Sequence, residues 1–450
     1  MSKKVTLKTY NLHKKLFLKV NVFSRNLKPS LIVVCFLLTI MQIQAQDLTS
    51  NSYSTVSNNN LLLEIDLDAA VYRVLTQSLN LHIANDEAQA RRYQVKQASL
   101  YPNPGLSYEV ENFAGNNNWK GWNNREERYF YSQLFETAGK RNLRTQVASY
   151  QFYASLVGYD VSKLIVLNRL NRTFINVVAA QELLKITQDQ AEIAKEVLRV
   201  ATKKVEAGKV SLIQQNKAEV AYSTTLIAME RAVVELKNAK KRLSLLWSQP
   251  CPDFEKASFP FFDISRPISF EQCLADLCNQ AEVVQSLYAN QSAKKNWRLE
   301  KANRIPDVTI QVGYKANYED NNQGLIAGIS IPIPLFNQNQ GNIGRAYFDM
   351  LKTGDQGRQL WLVLESKLSI SHEELVRAYD EAERIKNISL PSATQAFELA
   401  QKGYREGKFE YLDVLDAQRT LFEVKERYIQ ALVSYHTRRA DIDYLNSQTE

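Results

Sequence analysis

The stretch Tyr404–Thr420, YREGKFEYLDVLDAQRT, contains the turn that decides the fold. Apolar residues recur with a helical period in the long segment that ends in FELAQKGYREG. The same period resumes in the segment that follows, LFEVKERYIQALVSYHTRRADIDYL. Glycine adopts the positive φ of a helix-ending turn at little steric cost. Gly407 is therefore predicted to be the point at which two long helices reverse direction.

A second copy of this turn lies in the first half of the chain. A shift of 199 residues places Gly208 on Gly407, and it also places Lys209 on Lys408. Each half then follows the same order of helix, strand, strand, long helix, reversal and helix, which indicates a duplicated structural unit. We predict a first repeat at 46–248 with its turn near 206–211, a linker at 249–267, and a second repeat at 268–450 with its turn near 405–410.

The first long helix is expected to run from Lys140 to Glu206, because no proline and only one glycine, Gly158, occur in this segment. A helix of this length would extend about 100 Å, which exceeds the diameter of a globular domain. The second long helix is expected to begin after Gly341 and to be interrupted at Pro391. The predicted fold class is therefore mainly α.

The formal net charge of +8 is located in the N-terminal segment. Residues 1–45 contain eight Lys and Arg residues and no Asp or Glu, so the rest of the chain has 48 residues of each sign. The apolar run that follows, 31–41, is shorter than the roughly 20 residues of a membrane-spanning helix. This order predicts a signal peptide at 1–45, with a membrane anchor as the alternative. The balanced charge of the remainder gives no indication of nucleic-acid binding.

Two pairs of short segments alternate apolar and polar residues, and each pair precedes a long helix. In the first segment, apolar residues at 106, 108 and 110 alternate with polar residues at 107, 109 and 111. A period of two is typical of a strand with one apolar and one polar face. We predict strands at about 106–113, 128–135, 307–315 and 325–332.

These strands have the length of transmembrane β-strands, which need about 9–11 residues when they are tilted. A sheet of a soluble protein with one face in water is the alternative. Four strands are too few to close a membrane barrel, since such barrels have about eight strands or more. Open strand edges are not tolerated in lipid. If the strands span a membrane, several chains must therefore share one barrel.

The ordered set of motifs in this chain resembles the TolC-type outer-membrane efflux family. Within that family it is most similar to the branch that serves heavy-metal cation pumps of the cobalt-zinc-cadmium and copper systems. The resemblance covers nearly all of the chain after the predicted signal peptide. The matching motifs are ASLYPNPG at 98–105, YEVENFAG at 108–115, QLFETAGKR at 133–141, IPIPLFNQNQG at 331–341, YREG at 404–407 and LDVLDAQ at 412–418.

The resemblance implies a homotrimer in the outer membrane of a Gram-negative bacterium. Twelve strands would close one β-barrel in outer-membrane lipid, and the long helices would close an α-helical barrel that extends into the periplasm. It also implies two partners, a periplasmic membrane-fusion adaptor at the hairpin tips and an inner-membrane pump of the resistance-nodulation-division type. The implied function is a passive conduit, for heavy-metal cations in this branch.

Two other classes of function compete with this interpretation. Drug efflux or type I protein secretion would use the same architecture, whereas an exported coiled-coil structural or adhesive protein would have no channel activity. An enzyme is not expected, because the three histidines after residue 45 lie in no metal-binding spacing and no phosphate-binding loop or serine-nucleophile motif occurs. We therefore predict no catalytic residue, no metal site and no cofactor.

Residues at both ends of the implied conduit are candidates for a function. By family position, Asp413 and Asp416 would form the periplasmic aperture, where three copies of each would make an acidic ring that favours cations. A solvated helix face near a helix N-terminus is the alternative for both aspartates. The residues expected to line the upper lumen are Glu109, Glu111, Thr309 and Gln311.

The hairpin tips are the candidate docking site for the adaptor. The residues expected there are Gly208, Lys209, Gly407 and Lys408, for which simple turn chemistry is the alternative. The chain departs from the family's drug-exporting prototype in two places. Gln214 occupies the first-repeat position that matches Asp413, and Phe409 stands where the prototype has a basic residue. The gate-locking pairs of that prototype are therefore not assumed here.

Overall fold

Long helices make up most of residues 62–446, the part of the chain that the computed structural model describes; the predicted signal peptide, 1–45, lies outside it. The strands are β1 Leu62–Asp66, β2 Gly105–Glu111, β3 Glu126–Phe135, β4 Phe254–Ser258, β5 Val308–Asn317 and β6 Asn322–Ser330. The helices are α1 Leu67–Gln77, α2 Leu79–Ser99, α3 Lys140–Glu206, α4 Leu212–Ser244, α5 Phe270–Asp276, α6 Ala281–Asn303, α7 Gln340–Arg384, α8 Leu390–Glu406 and α9 Tyr411–Asn446.

Two long helical hairpins dominate this set. The first consists of α3, with 67 residues, and α4; the second consists of α7, α8 and α9. A π-helical segment, Ile385–Ser389, separates α7 from α8. Proline lacks an N–H and its ring crowds the carbonyl group four residues earlier, so Pro391 is accommodated by the wider π turn that precedes it. The interruption predicted at Pro391 therefore begins before the proline itself.

Four strands form one antiparallel sheet in the order β2-β3-β5-β6. β2 and β3 form the hairpin of the first repeat, and β5 and β6 form the hairpin of the second repeat. The central pairing, β3 with β5, joins the two repeats, with Tyr129 opposite Tyr314. Within the described residues, β2 and β6 are the edge strands.

A two-stranded parallel sheet, β1 with β4, was not predicted. Ile65 lies opposite Ala257 in it, and both residues are buried beside Trp247 and Phe261. The segment predicted as a linker, 249–267, thus contains a strand and part of the core. In strands of five residues the alternation of apolar and polar residues is too short to be recognised in the sequence. The two paired strands are also far apart along the chain.

Lys140 ties the long helix of the first repeat to the sheet of the second. Its Nζ donates to the carbonyl oxygen of Ile305 at 2.6 Å and to Asp307 Oδ1 at 2.7 Å, and Lys140 is 7 % exposed. The same carboxylate oxygen accepts from the N–H of Thr137 at 2.8 Å. Because Asp307 immediately precedes β5, this ion pair fixes the start of α3 against the start of β5.

Replacing Lys140 with Met is expected to lower the free energy of unfolding by about 2 kcal/mol, because it leaves the partly buried Asp307 carboxylate without its cation and the Ile305 carbonyl without its donor. Denaturant unfolding of the protein in detergent, followed by tryptophan fluorescence, measures the change. Arg358→Met is the matched control, since it removes an exposed ion pair with Asp355 that should contribute less than about 0.5 kcal/mol. Equal losses in the two variants would contradict the prediction.

Candidate functional site

One face of the four-stranded sheet is mainly apolar and exposed. Directly opposed residues of neighbouring strands lie on the same face, so the pairing register identifies its rows. One row is Leu106, Tyr131, Val312 and Ala327, and the next is Tyr108, Tyr129, Tyr314 and Leu325. Leu106 is 84 % exposed and Leu325 is 90 % exposed. Contiguous apolar surface of this kind marks contact with lipid or with another protein.

The opposite face of the sheet is mainly polar. The register places on it all four residues that were predicted to line the upper lumen: Glu109, Glu111, Thr309 and Gln311. Glu109 and Glu111 lie in the rows next to the loops 112–125 and 318–321. Thr309 and Gln311 lie closer to the helices. The structure therefore brings these four residues to one surface, at different heights along the strands.

The polar face also contains an ion-pair network that was not predicted. Arg128 on β3 pairs with Glu111 on β2 and with Glu126, and Lys315 on β5 pairs with Glu126 as well. Glu126 and Arg128 are two residues apart, which already places them on one face of a strand. The contact with Lys315 could not be predicted, because it depends on the register between β3 and β5. This pairing joins the two repeats, and no local sequence pattern indicates it.

The two helix reversals have the same backbone geometry. Gly208 has a φ of 67° and Gly407 a φ of 76°. In each turn the N–H of the following lysine donates to the carbonyl five residues earlier, from Lys209 to Lys204 at 2.9 Å and from Lys408 to Gly403 at 2.8 Å. This bond together with a positive φ is the Schellman turn. The two segments that correspond under the sequence shift of 199 residues thus form the same type of backbone turn.

The four predicted docking residues, Gly208, Lys209, Gly407 and Lys408, are all exposed at these turns. Lys408 Nζ forms an ion pair with Glu406 at 2.6 Å. The side chain of Phe409 packs on Gly403, where an added Cβ would come within 2.2 Å of the ring. Each tip is therefore a tight turn whose glycine and lysine are exposed.

Lys204 connects the two tips. Its Nζ donates to the carbonyl oxygen of Tyr404 at 2.7 Å and lies 3.6 Å from the centroid of the Tyr404 ring. Burial, followed by the neighbouring charge of Lys209, lowers the pKa of Lys204 from its usual value. The role of Lys204 was not predicted, because its partner lies in the other repeat.

Three buried polar atoms of the two hairpin tips have no hydrogen-bond partner within residues 62–446: Tyr404 Oη, Tyr411 Oη and Gln214 Oε1. Burial raises the pKa of Tyr411 to about 12, with a smaller contribution from Tyr404. A buried polar group without a partner costs about 1–3 kcal/mol.

Asp413 and Asp416 lie on the exposed side of the first two turns of α9. Asp413 Oδ2 accepts from the N–H of Glu410 at 2.9 Å, which satisfies one of the free donors at the helix N-terminus. Asp416 lines an open groove of about 570 Å³ between α3, α4 and α9. Within residues 62–446, no group of three or more His, Cys, Asp or Glu side chains is placed to hold a metal ion, and no helix is long and apolar enough to cross a membrane.

Comparison with known proteins identifies the family. The family model described as outer membrane efflux protein matches residues 70–249 and 276–445. The chain belongs to this family. Each of the two matched segments contains one β-hairpin and one long helical hairpin.

Individual efflux proteins are similar along most of their length. The chain is 29 % identical over 408 residues to the cobalt-zinc-cadmium resistance protein CzcC of Cupriavidus metallidurans, which covers 89 % of this chain and 94 % of CzcC. It aligns with the structure of the outer membrane protein VceC of Vibrio cholerae with a TM-score of 0.74 at 16 % identity, over 85 % of this chain and 97 % of VceC. For CusC the TM-score is 0.72 at 16 % identity, over 89 % and 96 %.

The chain is accordingly an outer-membrane efflux channel protein with the TolC-like fold, and it is not an enzyme. Its location is the outer membrane of a Gram-negative bacterium, from which it extends into the periplasm. These conclusions confirm the family, fold, location and main function that the motifs indicated.

Lys204→Met in this efflux protein is expected to loosen the contact between the two tips, because it removes a hydrogen bond and a cation–π contact but keeps most of the apolar stem. Hydrogen exchange of the amides at 204–211 and 404–411 should accelerate about tenfold, the effect of losing about 1.4 kcal/mol. Lys203→Met, at the exposed neighbouring position, is the control and should leave these rates unchanged. Unchanged exchange in both variants would show that Lys204 does not hold the tips together.

Proposed function

We propose that this chain forms the outer-membrane conduit of a tripartite efflux system that exports heavy-metal cations. The similarity to a cobalt-zinc-cadmium resistance protein along nearly the whole chain supports this substrate class. The conduit is passive: it conducts what an inner-membrane pump and a periplasmic adaptor deliver to it.

The observation that carries the proposal is the two-faced sheet with two edges. Leu106 and Leu325 lie on the apolar face, which suits lipid, and Glu109 and Gln311 lie on the polar face, which suits a water-filled lumen. Strand edges in lipid must be paired. Pairing β6 of one copy with β2 of the next removes both edges, and three copies supply the twelve strands of the proposed barrel.

The helical hairpins form the periplasmic part of the proposed trimer. α3 alone extends about 100 Å at 1.5 Å per residue, so the tips lie far from the sheet. The turns at Gly208 and Gly407, with Lys209 and Lys408 beside them, offer exposed surfaces of defined backbone geometry. A membrane-fusion adaptor would dock there, and a pump of the resistance-nodulation-division type would lie beyond it in the inner membrane.

The proposed aperture consists of Asp413 and Asp416. Both carboxylates are exposed, and three copies of each would form an acidic ring that favours cations over anions. The hydrogen bond from the Glu410 N–H to Asp413 uses one carboxylate oxygen and leaves the other free. The capping role and the ring are therefore compatible.

The class of function can be tested directly. Purified protein should migrate as a heat-modifiable trimer and should produce single-channel conductance in planar lipid bilayers. A monomer without conductance would contradict the conduit and would favour the alternative of an exported coiled-coil protein.

The substrate class needs a separate measurement. Deletion of the gene should lower the tolerated concentration of cobalt, zinc or cadmium ions and should leave tolerance to a panel of drugs unchanged. Restoration by the intact gene is the control. The reverse pattern would identify drug efflux, and a loss of secreted proteins without either change would identify type I secretion.

Asp413→Asn combined with Asp416→Asn is expected to weaken the block of single-channel current by multivalent cations added from the periplasmic side, because the charge is removed from the proposed ring. The side-chain amide oxygen of asparagine can still accept from the N–H of Glu410, so the helix start at Tyr411 should be preserved. The blocking concentration in bilayers should rise by about tenfold or more if several charges act together across the aperture. An unchanged blocking concentration would place both residues away from the lumen.

A further inference from the structure

The charged residues on the polar face of the sheet are confined to its two outermost rows. Glu109, Arg128 and Lys315 lie opposite one another in one row, and Glu111 and Glu126 lie in the next. Both rows are next to the loops 112–125 and 318–321, at the end of the strands remote from the helices. The rows closer to the helices contain only uncharged residues.

Four of these five charges form one connected network. Arg128 donates to both carboxylate oxygens of Glu111 at 2.9 Å and, through Nε, to Glu126 at 2.6 Å. Lys315 Nζ lies 2.6 Å from the same Glu126 oxygen. Bidentate pairing of an arginine with a carboxylate fixes the geometry of both groups. Two carboxylates and two basic groups therefore neutralise each other along the sheet.

Glu109 is the fifth charge and lies outside this network. It is exposed and lies opposite Arg128 in the register, but among the described residues it forms no ion pair, since Arg128 binds Glu111 and Glu126 instead. Each chain thus presents one uncompensated carboxylate on the polar face. Without Arg128 and Lys315, the three carboxylates of these rows would give an excess of three negative charges. The two basic groups reduce this excess to one.

We propose that these two rows act as a charge filter at the outer mouth of the conduit, in which Glu109 favours hydrated cations and Arg128 limits the strength of that preference. This inference rests on the proposed function, because it requires the polar face to line a lumen. The filter acts through the electric field of fixed charges and not by coordination. The Debye length is about 10 Å at 0.1 M salt and about 30 Å at 0.01 M, so the preference should grow at low ionic strength.

Single substitutions change the excess charge by one unit in either direction. Glu109→Gln removes the free carboxylate and should leave these two rows neutral. Arg128→Gln releases Glu111 and should double the excess, and Lys315→Gln provides the same change at another position if the arginine variant does not assemble. Glu127→Gln is the matched control, because Glu127 lies between Glu126 and Arg128 in the chain but on the opposite face of the sheet.

The test is the reversal potential of single channels in planar bilayers under a potassium chloride gradient at low salt. The cation-to-anion permeability ratio should fall by about two- to fivefold in Glu109→Gln and rise by a similar factor in Arg128→Gln or Lys315→Gln, as expected for one solvated charge per chain. Glu127→Gln should keep the wild-type ratio. The differences among the variants should diminish as the salt concentration rises.

Two negative results have different meanings. Conducting channels whose permeability ratio is the same in wild type, Glu109→Gln and Arg128→Gln or Lys315→Gln would overturn the charge filter and leave the conduit intact. Wild-type protein that forms no channel would overturn the proposed function and, with it, the filter. A change in Glu127→Gln as large as in Glu109→Gln would also overturn the filter, because the polar face would then have no special role.

Discussion

The open edges of the four-stranded sheet are the constraint on which the rest of the structure depends. Within residues 62–446, the edge strands β2 and β6 each pair on one side only. The two strands outside this sheet, β1 and β4, pair with each other and cover neither edge. In hydrocarbon an unpaired backbone N–H or C=O group costs several kcal/mol. An apolar face suited to lipid and an edge that lipid does not tolerate thus occur in the same sheet. A neighbouring copy of the chain resolves this conflict in the proposed trimer.

The connections of the sheet explain why the helices extend in one direction. Each hairpin turns at its outer loop, so all four strands meet the helices at the other end of the sheet. The pairing of β3 with β5 then places the two repeats side by side, and the ion pair of Lys140 with Asp307 holds this junction. In the proposed conduit the loop end of the sheet therefore faces the outside of the cell, and the hairpin tips lie at the far end of α3.

The parts of the fold that the sequence predicted are those that depend on local pattern. The alternation around Leu106, the uninterrupted stretch 140–206 and the glycines at 208 and 407 each indicate their structure within a few residues. The parts that were missed depend on partners from distant segments. The β1–β4 pairing, the Arg128–Glu126–Lys315 network and the Lys204–Tyr404 contact all join segments whose relation becomes visible only when the register of the repeats is known.

The duplicated turns show how a shared backbone can support different chemistry. Positive φ at Gly208 and Gly407 is required by the turn and is the same in both repeats. The third residue of the following helix is not constrained in this way: it is Gln214 in the first repeat and Asp413 in the second. Asp413 bonds to the helix start, whereas Gln214 Oε1 is buried without a partner among the described residues. The two tips therefore share a shape and differ in charge.

Fixed carboxylates suit a conduit better than mobile ones. Asp413 is held by the N–H of Glu410, a neutral donor that leaves its charge uncompensated. At the other end Glu111 is held and neutralised by Arg128, so the excess charge there is that of Glu109. A carboxylate that is held by the wall cannot close around a passing ion and strip its water, which is what a tight binding site requires. It can still lower the energy of a cation in the lumen through its field. In the proposed conduit, Asp413 at the periplasmic end and the single excess charge of the outer rows would select the sign of the ion without retaining it, and the choice among metals would lie with the pump.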